Sequence, residues 1–429
     1  MPVKILISTW GNPKGWEEVT YCYKESRKRL KDVSPLIKEK EGIEKTIIVS
    51  IDTLSDECVS CLLNSLYRDI KNLSYSLIQN FCREEIGYTP DRIIISYGVG
   101  EFNNSKFAGN AMDFYYSVFK ELSFTFVEWL DEFNGNRIEI YLDISHGINF
   151  LPVLTYRALK EMLQILAYGF SIKFTVLNSD TYIRTARPDF LNINIIEKSK
   201  ILPKLTVYKI DKRPIEPYFG LIDEEKGKIG KNLQSFDKNI LYFLSSFMYA
   251  LPVFVIRYLP DKEELKNKIK DISDEFERNI EVKKVRKLEV ERKIEFTINF
   301  ENLVKAYILS WLLNRKSIYK KDEVELEKIK KIKEEIWERN FPIESNRIDV
   351  EINVIKNLPY SKPKDWKTYA EIIGKREESN IDKRNFFAHA GFEHNIIKIK
   401  IENQKIKLKI NSKLESIAKN YLEDNLPGG

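Results

Sequence analysis

Arg384, Asn385 and His389 fall within six residues of one another, in the run Arg384-Asn385-Phe386-Phe387-Ala388-His389. These side chains suffice for phosphodiester chemistry on a ribonucleotide without a metal. The 2′-hydroxyl must lose a proton, the leaving 5′-oxygen must gain one, and the extra negative charge on phosphorus must be stabilised. An imidazole titrating near neutrality serves the proton transfers. A guanidinium matches phosphate oxygens in a bidentate fork. Asn385 can orient the imidazole or hold a phosphate oxygen. Helix-start residues Ser379, Asn380 and Asp382 precede the run and Gly391 follows it, which predicts a short helix from Arg384 to His389. On such a helix Asn385 and His389 share a face, whereas Arg384 lies about 140° around from His389. One copy cannot readily focus both on a small target; two copies facing across a dimer axis can.

A second constellation lies near the other end of the chain. Three segments read as turns at the carboxyl ends of strands, where open parallel sheets bind ligands. The first holds Ser8, Thr9, Trp10, Gly11 and Asn12; the second holds Gly98; the third holds Asp143, Ser145, His146, Gly147 and Asn149. Small residues let backbone N–H groups approach phosphate oxygens, and a following helix start adds favourable partial charge. Trp10 is expected to be exposed and to stack on a base. Lys4, Arg92, Lys106 and Arg157 are candidate cations nearby. The dinucleotide fingerprint is missing, because Gly98 and Gly100 follow the third strand rather than the first; this argues against hydride chemistry on NAD.

The elements that must position these residues change character along the chain. Nearly continuous aliphatic runs at Lys4–Ser8, Lys45–Asp52, Asp91–Tyr97, Arg137–Asp143 and Ser171–Asn178 alternate with helical patterns at Glu57–Phe81, Ala108–Leu130 and Asn149–Tyr168. That alternation predicts a mostly parallel, Rossmann-like sheet covered on both faces. Beyond Pro203 the pattern becomes mainly helical, at Asp237–Leu251, Thr297–Leu313 and Glu323–Asn340, with a charged segment Asp261–Val290 expected to be a solvated helix. Ile396–Glu402 and Lys405–Ile410 flank Asn403-Gln404 and read as a β-hairpin, followed by a last helix Ser412–Glu423. The fold class is therefore α/β plus α. The divisions are 1–201 for the sheet domain, 202–236 for a Pro- and Gly-bearing connection, and 237–429 for the helical domain.

The 429 residues carry 70 basic and 64 acidic side chains, a net +6 that suits an anionic partner without requiring one. All four Cys precede residue 83, which points to a reducing compartment rather than a disulfide framework. Cys58 and Cys61 form a lone C-x-x-C, and only three His exist in the chain, so a tetrahedral zinc site is not expected. No apolar run reaches the roughly 20 residues of a membrane span, and the N-terminus reads directly into a strand, so a cytoplasmic location is expected. Abundant Lys, Glu and Ile hint at a thermophilic source.

The run Arg384 to His389 has the R-x4-H spacing, with a polar residue after the Arg, of HEPN domains. A Rossmann-like domain with Ser8-Thr9-Trp10-Gly11 after its first strand and Asp143-Ile144-Ser145-His146-Gly147-Ile148-Asn149 after its fourth, followed by that motif, resembles the CRISPR-associated CARF–HEPN ribonucleases. These are ancillary effectors of type III CRISPR systems. The resemblance implies a CARF sensor dimer that binds a cyclic oligoadenylate, the tetra-adenylate favoured over the hexa-adenylate. It also implies a HEPN dimer that then cleaves single-stranded RNA with no cofactor. It places Arg384, Asn385 and His389 in the active site and leaves His394 outside it. Three rivals stand beside this reading. One is a ligand-responsive DNA-binding regulator, which would need a basic recognition helix. Another is a ring nuclease that degrades the messenger through His146, Ser8 and Thr9. The last is a catalytically silent HEPN scaffold. Neither a membrane nor stable duplex DNA is an expected partner.

Overall fold

The aliphatic runs of the N-terminal half build one eight-stranded sheet. In chain order the strands are β1 (Val3–Trp10), a hairpin of β2 (Val19–Tyr23) and β3 (Ser26–Leu30), β4 (Lys45–Ile51), β5 (Arg92–Ser96), a short pair β6 (Gly100–Glu101) and β7 (Ser105–Ala108), then β8 (Arg137–His146), β9 (Ser171–Ser179) and β10 (Leu191–Ile201). All but β6 and β7 join the sheet, in the order β3-β2-β10-β9-β8-β1-β4-β5. In this computed structural model the described residues are 2–61, 66–183, 185–186, 188–209, 218–221, 237–284, 286–358 and 363–427.

The five expected strands form the parallel centre, β9-β8-β1-β4-β5. Ile5, Ile7, Ile48, Ile140 and Leu142 are wholly buried there, as two-sided covering by helices requires. The covering helices are α1 (Ser34–Glu41), α2 (Tyr67–Phe81), α3 (Met112–Asp131) and α4 (Leu151–Leu166). Strand order reverses between β1 and β8, whose carboxyl ends meet where Trp10 pairs with His146. That is where an open sheet opens its ligand crevice.

Some local expectations are corrected. The helix expected over Glu57–Phe81 begins at Tyr67, after a 3-10 stretch Asp52–Cys61. Cys22 and Cys82 are free, but Cys58 is disulfide-bonded, against the expectation of thiols throughout. The segment Asp261–Val290 is not one helix. It forms α7 (Lys262–Arg278) and then strands β12 (Ile280–Lys284) and β13 (Leu288–Arg292), preceded in the chain by β11 (Phe219–Leu221) and followed by β14 (Ile294–Phe296). Its second half alternates apolar and charged residues with period two, a strand pattern that the charge density conceals. β13 pairs with β7, and β14 with β11. Asp271–Thr297 therefore belongs to the first of two compact units, with the residues up to Leu202. Of residues 237–429, Asp271–Thr297 packs with the first unit and the rest with the second, and most of the connection 202–236 lies outside the described residues.

The second unit is helical, with α5 (Asn239–Met248), α6 (Pro252–Tyr258), α8 (Ile298–Arg315), α9 (Leu326–Ile332), α10 (Pro342–Lys356), α11 (Tyr369–Ile372), α12 (Lys383–Ala388) and α13 (Glu415–Asp424). Its axis is α8, buried on all sides from Asn299 to Leu313, where the buried Glu301 and Lys305 pair with each other at 2.6 Å. A four-stranded sheet joins β15 (Val324–Glu325), β16 (Lys367–Thr368), β17 (Ile397–Glu402) and β18 (Lys405–Ile410). β17 and β18 form the expected hairpin, turning at Asn403 and Gln404 with φ of 50° and 63°. Among the described residues no helix is long and apolar enough to cross a membrane.

Candidate functional site

In the second unit, α12 carries the Arg384–His389 run. Asp382 caps its start by accepting a hydrogen bond from the Asn385 N–H at 2.6 Å, so of the three expected caps Asp382 is the one used. The helix stops because Ala390 and Gly391 take positive φ, 50° and 81°. Gly391 must be glycine there: a Cβ would lie 3.0 Å from the Phe254 ring. Phe386 is fully buried, edge-on to Phe254 at 5.1 Å, and anchors the helix to the core. Arg384 and Asn385 are exposed, and His389, the capping residue, is half exposed. Among the described residues no hydrogen bond or ion pair joins Arg384 to His389. His394 pairs instead with buried Glu393 at 3.2 Å.

The neighbouring α10 supplies two residues that sequence reading missed. Arg347 donates to the Phe387 carbonyl at 2.8 Å and to the Tyr249 carbonyl at 2.6 Å. It thereby neutralises the carbonyl end of α12, where a cation is favoured. One turn later, Glu351 is buried and its Oε1 lies 2.7 Å from His389 Nδ1. The only available signal was their i,i+4 spacing in a stretch, 315–361, with no assigned role.

The first unit places its expected ligand residues in three different settings. Ser145, His146 and Gly147 line a cavity of about 550 Å³, with Trp16, Asn178 and Asp180. Trp16 stacks on the His146 ring at 3.8 Å, and Tyr21 Oη lies 3.1 Å from His146 Nε2. Ser8, Thr9 and Trp10 are buried instead. Ser8 bonds to Ser34, and Thr9 donates to the Asp143 carbonyl. Trp10 sits in an aromatic cluster with Trp16 and Phe81, and it is the half-buried Trp16, not Trp10, that lines the cavity. The reason is that β1 runs two residues further than expected and carries Trp10 into the core. Of the three residues proposed for ring cleavage, only His146 reaches the cavity. Asn12 bonds Glu57 at 2.6 Å, and the buried Gly11 donates its N–H to the His146 carbonyl. Asn149 adopts a φ of 51° just before α4. Gly98 is turned inward, donating to Asp52 at 2.7 Å. Lys4 bonds the Glu41 carbonyl, Arg92 pairs with Glu128, Arg157 lies over Tyr115, and Lys106 lies on β7. None of these four cations lines the cavity.

Beneath the cavity, Asp32 and Asp143 are wholly buried, and each has one oxygen without a hydrogen-bond partner. Burial pushes the Asp143 carboxyl up to about 6, with the Asp32 charge adding to it. Burial likewise raises Asp32, against the hydrogen bonds from Ser34. Burial pushes His146 down to about 4, so its ring is neutral at physiological pH. For Asp143 the folded chain keeps a proton that the unfolded chain releases near its ordinary value, so its contribution to stability falls as pH rises from about 4 through about 6. Asp143→Asn removes that loss. Relative to wild type, the variant is expected to gain stability between pH 4.5 and 7, read from urea midpoints at both pH values. An unchanged difference at the two pH values would refute this.

Comparison with known proteins covers both constellations. A family model described as the CARF domain of CRISPR system endoribonuclease Csx1 matches residues 5–181. A second, described as the HEPN domain of the same endoribonuclease, matches residues 262–412. His146 falls in the first match, and α10 and α12 in the second. A protein of Methanocaldococcus jannaschii, named CRISPR system endoribonuclease Csx1, is 32% identical to this chain, over 98% of this chain and 92% of that one. With both domains matched in order and the likeness spanning the whole chain, the protein belongs to the Csx1 family of CRISPR-associated CARF–HEPN endoribonucleases.

Proposed function

We propose that this endoribonuclease cuts single-stranded RNA without a metal, using Arg384, Asn385 and His389 from two copies of the chain, and that a cyclic oligoadenylate in the CARF cavity stimulates it. What carries the reading is α12: an exposed Arg384 and Asn385 beside a half-exposed His389 whose Nδ1 is already engaged. The free Nε2 of one imidazole takes the 2′-hydroxyl proton as the 2′-oxygen attacks phosphorus. The P–O5′ bond breaks, and the second copy's imidazolium protonates the departing oxygen. Arg384 and Asn385 hold the phosphate oxygens while charge builds on them. The products are a 2′,3′-cyclic phosphate and a 5′-hydroxyl.

The sensor half rests on the cavity at the strand-order reversal, whose volume of about 550 Å³ is in the range of small-molecule sites. Trp16, already stacked on His146, offers an aromatic surface for an adenine, and Ser145 and Asn178 offer polar groups. A cyclic tetra-adenylate has the rotational symmetry to touch two copies alike, and it activates only by binding the competent arrangement more tightly. The setting proposed for this activity is the cytoplasm.

Calorimetric titration with cyclic tetra-adenylate in EDTA tests the ligand. One ring per two chains is expected, and Trp16→Ala should weaken binding about 10-fold or more, since base stacking is worth about 1–3 kcal/mol. Binding of the hexa-adenylate alone would change the ring size. Binding of neither would remove the cyclic-nucleotide reading.

A further inference from the structure

We infer that Glu351 of α10 is the positioning residue of this ribonuclease: its carboxylate holds the Nδ1–H of His389 and so presents Nε2 to the RNA. The inference rests on the reading of His389 as the proton-transfer group.

The geometry carries it. Glu351 Oε1 lies 2.7 Å from His389 Nδ1, and a carboxylate only accepts, so Nδ1 must be the nitrogen that bears the proton. The second ring nitrogen is then the basic one, which the proposed chemistry needs, on a side chain that is half exposed. Glu351 itself is 6% exposed. Burying a carboxylate is costly unless it is hydrogen-bonded, and His389 is the partner that α12 brings to it.

The scaffold around the pair is stiff. One turn earlier on the same helix, Arg347 ties the last turn of α12 to α10 through the Phe387 carbonyl. Ile348, Ile352 and Ile355 bury one face of that helix in the core. Tyr369 packs near the carboxylate, and its hydroxyl is pushed up to about 12 by burial first and by the Glu351 charge second. Arg347 thus fixes where the helix ends and Glu351 fixes how the imidazole is turned. Support of this kind typically changes rate far more than substrate affinity.

The test uses the full-length protein and a labelled single-stranded RNA, under conditions where wild type cuts. Glu351→Gln keeps the shape and one accepting oxygen but loses the charge; Glu351→Ala loses both. Expected is a kcat lower by about 10-fold for Glu351→Gln and about 10²-fold for Glu351→Ala, with KM within about 3-fold and with Glu351→Gln melting like wild type. Selective ¹⁵N-histidine spectra of the wild type should show the Nδ1–H tautomer at His389, and this reading needs no variant to fold. Wild-type kcat in both folded variants, while His389→Ala is inactive, overturns the inference alone, as does an Nε2–H tautomer. Full activity in His389→Ala overturns the reading beneath it instead.

Discussion

Replacing His389 with alanine is expected to slow RNA cleavage by at least about 10³-fold, measured as initial rate on a labelled single strand. General acid–base catalysis contributes roughly 10²–10⁴-fold per group. In the proposed two-copy site the substitution removes both the base that takes the 2′-hydroxyl proton and the acid that feeds the 5′-oxygen. Arg384→Ala should fall in the same range, because the guanidinium stabilises charge that appears on phosphorus only as the bond forms. Arg384→Lys should recover little, since a point charge cannot reproduce the bidentate fork. RNA binding should weaken far less than the rate. His389→Ala also leaves Glu351 buried without its partner, so a small loss of stability, about 1–3 kcal/mol, accompanies it. A His389→Ala protein that cuts within a few-fold of wild type would contradict the assignment.

The second large effect is on folding. Arg292 of β13 is 1% exposed, and it enters a cluster of acidic and backbone groups in the first unit. Its Nη2 donates to the Gly98 carbonyl at 2.7 Å, its Nη1 lies 3.9 Å from Asp52, and its Nε lies 3.8 Å from Asp113. Burial pushes Asp113 up to about 7, against the backbone hydrogen bond from Phe296 and the Arg292 charge. Burial also raises Asp52, and there the Arg292 charge is the main opposing influence. Removing the cation strands two buried carboxyls, and breaking such a pair typically costs about 3–5 kcal/mol. Arg292→Met is expected to lose that much in urea unfolding. Adding Asp52→Asn and Asp113→Asn to it should restore part of the loss, because no buried charge then remains unpaired. A loss under about 1 kcal/mol for Arg292→Met would show that the cluster is not holding β13 to the sheet domain.

The cluster also explains why Gly98 could be singled out in sequence yet misread. A Cβ at that position would lie 2.4 Å from Thr53 Cγ2, and its N–H already serves Asp52. The glycine is needed for close packing beside a buried carboxylate, and one sequence cannot tell that from packing beside a phosphate. Trp10 was misread for a similar reason. Its place after Ser8 and Thr9 resembled a turn, but β1 continues through it, and Trp16 takes the place beside His146. The parallel centre was legible because Ile and Val runs alternate with helical periods. The β2–β3 hairpin and β10 were not, since Ser26–Leu30 is mostly exposed and β10 alternates with polar residues. Of the residues proposed for the nuclease site, Arg384, Asn385 and His389 stood out because they are close in sequence. Glu351 was not, because it lies 38 residues upstream of His389 and meets it only through the packing of α10 on α12.

Cleavage of a labelled single-stranded RNA in EDTA, with and without cyclic tetra-adenylate, tests whether this ribonuclease is ligand-switched and metal-independent. Slow cutting without the ligand, strong stimulation with it, and products ending in a 2′,3′-cyclic phosphate are expected. Cutting that requires a divalent metal, or that no cyclic oligoadenylate stimulates, would contradict that reading.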